Sequence, residues 1–331
     1  PLLRCYSGTR DLLKWAELTA RTIKNAWAAI PLYWYSQLDG RSNRPVAAAV
    51  RENQEAMAWH GARGIPVEVN EAHHWSLRGA PDSVAVAAFY LAAYNAKKAG
   101  VQDYIAQIML NNPPGTSGAM DLGKALAGLE MVARLEDASF KVYRQVRAGL
   151  ASLSVKPHVA KGQLAASTVL GLALHPQIIH VVAYCEADHI ATPAEIIESC
   201  EIVHGVLKNC LYDAPDPTGD RRVVARRDEV QAALDAARRD ELIAEAELIL
   251  DAIRRLGAAE TADPLSDPET LAKAVTLGIL DAPQLKGSTV APGKIKTRML
   301  RGACRLWDEE MQRATGEGTR LAGGNGCRSD G

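Results

Sequence analysis

The strongest constraint on the fold is a regular alternation along the chain between short apolar segments and longer segments with helical periodicity. Segments rich in apolar, β-branched or aromatic residues predict six strands, at residues 1–6, 30–37, 66–71, 104–110, 151–157 and 178–186. Helical patterns separate them, and residues 118–150 are predicted to form one long helix or two shorter ones. Because strands that alternate with helices form βαβ units, the sequence predicts a parallel sheet.

Polar residues follow the apolar part of most predicted strands. Tyr35, Asn70, Asn111, His158 and His189 each lie at or just beyond a strand end. Ligands bind at the carboxyl edge of the sheet in parallel α/β folds. A polar ending on so many strands favours a barrel with one broad, enclosed site over an open sheet, which concentrates its chemistry at one switch point.

The character of the sequence changes after residue 193. We expect six βα units of a barrel over residues 1–193 and a helical region that packs on the barrel over residues 194–313. Residues 314–331 are rich in glycine, threonine and arginine, and chain ends of this kind are commonly mobile. The sequence therefore predicts a flexible tail there.

Composition excludes several classes of function. The 331 residues carry 38 lysines and arginines against 39 acidic residues, a balance without the basic excess that nucleic acids or anionic membranes attract. No apolar run approaches the roughly 20 residues of a membrane span. The six cysteines are scattered, which predicts free thiols in a reducing, cytoplasmic compartment. Motifs for a P-loop, a dinucleotide fold or a serine nucleophile are absent.

Histidines near the predicted strand ends bear on a metal site. His73 and His74 are adjacent, so on a strand they would point to opposite faces and could not bind one ion. His158 and His189 follow strands, but the sequence offers neither an H-x-H strand nor a carboxylate paired with one. The sequence therefore predicts no metal ligands, and a metal-dependent hydrolase on the same barrel stays open as an alternative.

Charged and aromatic side chains on the strands are stronger candidates. Arg4 lies inside a predicted strand, where a guanidinium is costly unless it is paired. It would bind a substrate carboxylate or pair with Glu71 or Glu186, and both alternatives stay open. The aromatic run at residues 33–35 favours core packing over the lining of a flat cofactor, although the hydroxyl of Tyr35 at the strand end favours a pocket. Lys156 is a further cation.

Four groups of motifs occur in the order of a known family. They are P-L-L-R with S-G-T-R-D after it (1–4, 7–11), G-I-P-V-E-V-N-E (64–71), C-E-A-D-H-I-A-T-P-A-E (185–195), and K-A-V followed by G-I-L-D-A-P and A-P-G-K (273–275, 278–283, 291–294). In this order they resemble the large (epsilon) subunit of glutamate mutase, also called methylaspartate mutase, an adenosylcobalamin-dependent barrel enzyme. The resemblance covers about residues 1–310.

This resemblance implies a (β/α)8 TIM-type barrel that lacks its first two strands in this chain, with a helical C-terminal extension. It also implies adenosylcobalamin as cofactor, held mainly by a separate small subunit, since no D-x-H-x-x-G motif occurs here. The activity implied is a radical rearrangement of an amino acid or carboxylic acid. Arg4 would bind the substrate carboxylate, and Glu195 would lie near the adenosyl ribose.

Two departures from the family pattern limit the assignment. The arginine of the family's N-R-E motif is replaced, since Asn70 is followed directly by Glu71. The region that carries the family's catalytic carboxylate contains Gln107 and Asn111 but no acidic residue. An arginine clamp for a dicarboxylate is therefore at best partial, and the substrate is left open. A non-catalytic barrel that binds a corrinoid protein is a further alternative.

We therefore predict a pocket at the carboxyl ends of the strands. The candidate catalytic residues are Glu71, Lys156, His158 and Glu186. The candidate substrate-binding residues are Arg4, Tyr35, Asn70, His73, His74, Gln107 and Asn111. The candidate cofactor-binding residues are His189, Glu195 and Lys294.

Overall fold

Six parallel strands form the main sheet. A computed structural model of the protein describes residues 2–6, 10–211, 221–281 and 295–324. The strands are β1 (Leu3–Tyr6), β2 (Asn25–Ile30), β3 (Val67–Val69), β4 (Asp103–Leu110), β5 (Lys141–Ala148) and β6 (Ile178–His180). Their order in the sheet is their order along the chain, and every neighbouring pair is parallel. The predicted parallel α/β architecture is confirmed in the form of a half-barrel.

Helices connect these strands and continue beyond the sheet. They are α1 (Leu12–Thr22), α2 (Val46–Gly61), α3 (Ala72–Leu77), α4 (Asp82–Lys98), α5 (Gly118–Ala133), α6 (Pro157–Leu172), α7 (Pro193–Leu211), α8 (Arg221–Gly257), α9 (Pro268–Thr276) and α10 (Glu317–Gly324). A second sheet is antiparallel and comprises β7 (Ile295–Leu300), β8 (Ala303–Asp308) and β9 (Arg313–Thr315). Within the described ranges, no helix combines the length and apolar character needed to cross a membrane.

Helix α4 shows how the sequence sets an element. Pro81 precedes its first turn, Asp82 lies in that turn, and Lys97 and Lys98 lie in the last turn, where each charge opposes the nearer end of the helix dipole. Gly100 follows in a left-handed conformation, with φ of 81°. The helix is rich in alanine and valine and is buried on most sides. It packs between the strands and helices α5 and α8.

The two faces of the parallel sheet differ in chemistry. Alternate side chains of the central strands point outward into the apolar core beneath the helices, among them Ile30, Val67, Ile108 and Val146. The other alternation forms the opposite, inner side of the half-barrel, which we call the concave face. The strand register places Tyr6, Ala29, Ile105 and Met109 on this face. Its charged, amide, imidazole and indole side chains are Arg4, Trp27, Glu68, Gln107, Gln145, Arg147 and His180. Bulky branched residues usually fill a barrel interior, so the charged and amide side chains among the apolar ones set this face apart.

Two predicted strands are in the wrong place. The strand predicted at residues 30–37 is Asn25–Ile30, and the residues after it form a loop. The strand predicted at residues 151–157 is Lys141–Ala148, which lies inside the stretch predicted to be helical. Strand β5 carries Lys141, Arg144 and Arg147, so it lacks the apolar run that predicts a buried parallel strand.

The C-terminal predictions also need correction. The region predicted to be helical over residues 194–313 contains the antiparallel sheet of β7–β9. The predicted flexible tail begins with the end of β9 and with α10, while residues 325–331 lie outside the described ranges. Buried Arg320 fixes α10 by donating to the carbonyl oxygens of Gly278 and Ile279 and by pairing with Glu317.

The cysteines of the described ranges are all free. They are Cys5, Cys185, Cys200, Cys210 and Cys304. The sixth, Cys327, lies outside the described ranges. The prediction of free thiols is therefore confirmed for five positions.

Candidate functional site

Arg4 and Glu68 form an ion pair across the concave face. Arg4 on β1 donates from Nε and Nη2 to the two carboxylate oxygens of Glu68 on β3, at 2.6 and 2.5 Å. Glu68 also accepts from Trp27 Nε1 at 2.7 Å and from Gln107 Nε2 at 2.5 Å. Burial opposes the charge of Arg4, but the Glu68 carboxylate raises the pKa of Arg4 above its usual value. The intramolecular partner of Arg4 is therefore Glu68, not Glu71 or Glu186.

Arg147 is the second arginine of the concave face and differs from Arg4 in its surroundings. Its side chain is buried, and its hydrogen bond from Nε reaches only the Ala148 carbonyl, at 3.4 Å. Among the described residues, no carboxylate lies within ion-pair distance of it. Burial lowers the pKa of Arg147 relative to that of a free arginine. This buried cation lacks a counter-ion within the described ranges.

Unpaired amide and imidazole groups surround Arg147. Gln145 precedes it by two residues on β5 and has no exposed surface, yet neither atom of its amide has a partner in the described structure. His180 is opposite Arg147 on β6, and its Nδ1 atom has no partner there. Burial lowers the pKa of His180 to about 3, so its ring is neutral at physiological pH. The prediction from sequence missed Glu68, Gln145, Arg147 and His180, although Glu68 lies between two valines and His180 follows two isoleucines.

Glu71 connects the segments that follow β2 and β3 at the carboxyl ends of the strands. Its carboxylate accepts from the backbone nitrogens of Leu32 at 2.9 Å and Tyr33 at 3.4 Å, and from Trp75 Nε1 at 2.8 Å. These bonds join the loop after β2 to helix α3. Complete burial raises the pKa of Glu71 to about 8, even though its hydrogen bonds favour the charged form. Glu71, which the sequence predicted to be catalytic, therefore anchors this loop through hydrogen bonds in the structure.

The buried carboxyl of Glu71 makes stability depend on pH. Its folded pKa of about 8 exceeds the ordinary 4.5, so between these pH values the folded protein keeps a proton that the unfolded chain has released. Its contribution is fully present below about pH 4.5 and is lost as pH rises through about 8. We expect the wild type to lose on the order of 1 kcal/mol per pH unit relative to Glu71→Gln across this window.

Urea unfolding at several pH values within that window measures this difference. Glu269→Gln removes an exposed carboxylate, with 70% of its side chain exposed, and serves as the control that keeps the wild-type pH profile. Parallel profiles for the wild type and Glu71→Gln would contradict the expectation.

The other residues predicted at the carboxyl ends of the strands lie in loops and in α3. His73 and His74 are consecutive residues of α3, with ring centroids 4.2 Å apart. Burial lowers the pKa of His73 well below its usual value and that of His74 to about 3. The buried His73 Nδ1 and Asn70 Oδ1 have no partner in the described part of the chain. These neutral polar groups lie just beyond the carboxyl ends of the strands.

Several predicted site residues are engaged elsewhere. Asn111 accepts from Ser167 Oγ at 2.5 Å, and Tyr35 stacks under the Arg41 guanidinium at 4.0 Å. Lys156 and His158 are exposed at the start of α6, because the strand expected to end there does not exist. Glu186 is exposed and accepts from the Ala183 backbone nitrogen at 2.8 Å. Lys294 lies outside the described residues.

The loop after β6 forms a recess at the edge of the sheet. Residues 186–191 line a solvent-open cavity of about 520 Å³. His189 contacts Glu195 through Nε2 at 2.8 Å and Asp188 through Nδ1 at 2.9 Å. The Thr192 backbone nitrogen and His189 lower the pKa of Glu195 to about 2. Ligand-type atoms of Cys185, His189 and Glu195 all lie within 4.8 Å of one another, which the sequence did not predict.

No protein-family model matches the chain. No curated protein matches it either. Function is therefore inferred from the geometry of the concave face and from the order of the sequence motifs.

Proposed function

We propose that this chain is a large-subunit-like component of an adenosylcobalamin-dependent carbon-skeleton mutase that rearranges a small amino acid or carboxylic acid. The observation that carries the proposal is the group of charged and amide side chains on the concave face of the half-barrel, Arg4, Glu68, Gln145 and Arg147, the last three of which are buried. Radical chemistry needs a substrate held in a fixed position away from water. The order of the sequence motifs supports the same assignment.

In this proposal two further βα units complete an eight-stranded barrel. Strand β1 has a single neighbour in the described sheet. The apolar side chains of Leu3 and Tyr6 on β1, and of Trp15 and Leu18 on α1, are exposed there. An open strand edge flanked by exposed apolar groups favours packing against further structure. That structure would come from residues beyond this sequence or from another polypeptide.

The recess after β6 suits the adenosyl part of the cofactor. Glu186 and His189 line the recess, and Glu195 contacts His189, so the two carboxylates would be available to ribose hydroxyls. The corrinoid itself would be held mainly by the small cobalamin-binding subunit. When bound, the cofactor supplies the radical chemistry. Residues of this chain bind the substrate carboxylate, fix its orientation on the concave face and exclude water.

Electron paramagnetic resonance tests the proposal. The purified chain is mixed with a small corrinoid protein of the D-x-H-x-x-G type, adenosylcobalamin and one amino or carboxylic acid at a time. We expect a radical signal that depends on one of these acids. A stable complex that stays silent with every acid would indicate the non-catalytic corrinoid-binding barrel, and absence of a complex would contradict both.

A metal-dependent hydrolase is the second candidate, favoured by the cluster of Cys185, His189 and Glu195. A thiolate, an imidazole and a carboxylate are ordinary zinc ligands, and three of them leave a fourth position for water. Asp188 on His189 Nδ1 would orient the ring as outer-shell carboxylates do in zinc sites. Metal analysis of the same preparation decides, since stoichiometric zinc lost in Cys185→Ser would favour the hydrolase over the mutase.

A further inference from the structure

We infer that the concave face recognises a ligand with one carboxylate, bound by Arg147, and a hydrogen-bond donor beside it, rather than a dicarboxylate. The inference deepens the proposed function, on which it rests only in treating the concave face as the substrate site. It assigns the carboxylate to Arg147 on β5 instead of Arg4 on β1.

The balance of charge on the concave face supports a single carboxylate. The Arg4 guanidinium is already satisfied by both oxygens of Glu68, at 2.6 and 2.5 Å. His180 is neutral because burial disfavours its charged form. Arg147 therefore supplies the one uncompensated cation of this face within the described residues. A planar guanidinium matches one carboxylate in a bidentate arrangement.

Unpaired amide atoms define what else the ligand must offer. The side chains of Gln107 and Gln145 are neighbours on β4 and β5, in direct register. Their Oε1 atoms, and Oδ1 of Asn70, are buried acceptors without a donor in the described structure. Such acceptors are costly to leave unpaired. An ammonium or hydroxyl group on the ligand would satisfy them, so the ligand class is amino or hydroxy monocarboxylic acids.

A second carboxylate would be poorly accommodated. It would meet the Gln107 amide oxygen and the Glu68 carboxylate, and the unpaired Gln145 Nε2 would offer it one neutral donor, while no second free cation lies on the described concave face. Desolvating an unpaired carboxylate is strongly unfavourable. We therefore expect dicarboxylates to bind at least about tenfold more weakly than monocarboxylates of similar size.

Titration calorimetry on the full chain tests the inference without any cofactor. The probes are L-leucine, L-serine and lactate against L-glutamate, L-aspartate and glutarate. We expect at least one of the first three to bind and to lose at least about tenfold in affinity in Arg147→Met. Arg144→Met is the matched control, because Arg144 lies on the opposite face of β5 and donates to the Leu174 carbonyl.

Thermal unfolding of the same variants separates recognition from a structural role. Arg147 has no carboxylate partner in the described structure, so we expect Arg147→Met to keep or raise the melting temperature while it loses binding. Lower stability with unchanged binding, or tighter binding of dicarboxylates, would overturn the inference. So would failure of all three monocarboxylates to bind at millimolar concentration.

The outcomes also separate this inference from the proposed function. Monocarboxylate binding that depends on Arg147, together with no radical signal in the electron paramagnetic resonance experiment, would contradict the proposed mutase function and support the inference. A radical signal that depends on glutamate and persists in Arg147→Met would do the reverse.

Discussion

Replacing Glu68 with glutamine is expected to lower the free energy of unfolding by about 3–5 kcal/mol. The carboxylate of Glu68 has no exposed surface and receives hydrogen bonds from Arg4, Trp27 and Gln107. The amide keeps the shape of the side chain but removes its charge, which leaves the Arg4 guanidinium without its counter-ion. Urea unfolding followed by circular dichroism measures the change.

Two variants control this experiment. Glu269→Gln breaks an exposed pair with Arg51, at 2.9 Å, and should cost less than about 1 kcal/mol. The double variant Arg4→Met with Glu68→Gln removes the stranded cation and should recover much of the lost stability. A cost for Glu68→Gln no larger than that for Glu269→Gln would show that the pair is not effectively buried.

Replacing Lys124 with methionine is expected to cost a similar amount, about 3–5 kcal/mol. The ammonium of Lys124 lies 3.6 Å from Asp82 and 3.4 Å from Asp121, two aspartates that are almost fully buried. It also donates to the Asn112 carbonyl at 2.5 Å. Burial opposes its charge, but Asp82 and Asp121 together raise the pKa of Lys124. Without the ammonium, Asp121 loses its cation.

The expected position of the local loss of structure distinguishes the effect of Lys124→Met from general destabilisation. Asp82 keeps Arg238 of α8, at 3.2 Å, whereas Asp121 keeps only neutral donors such as the Asn111 backbone nitrogen. Hydrogen exchange should therefore increase first at the start of α5 and in the loop after β4. Lys98→Met, which breaks an exposed pair with Asp263, should cost less than about 1 kcal/mol. Equal costs for the two lysines would contradict the burial argument.

The candidate site could be predicted from sequence only in part. Arg4 was found because a charged residue inside an apolar strand stands out, and Gln107 because it lies in the region to which the family resemblance pointed; both lie on the concave face. Arg147 and Gln145 were missed because β5 is charged at every third position, a spacing closer to a helical than to a strand period, and its stretch was assigned to a helix. Lys156 and His158 were included for the same reason, since the strand that would have positioned them was placed about ten residues too late.

The sequence by itself determined the parallel α/β architecture, because apolar periodicity and helix-ending signals are local and survive without knowledge of contacts. Only the tertiary structure decided which charged side chains form ion pairs. Arg4 and Glu68 are 64 residues apart, and their pairing follows from the register of β1, β2 and β3. The same register leaves Arg147 without a carboxylate in the described structure. Register depends on how the helices pack on the sheet, so no local pattern specifies that free cation.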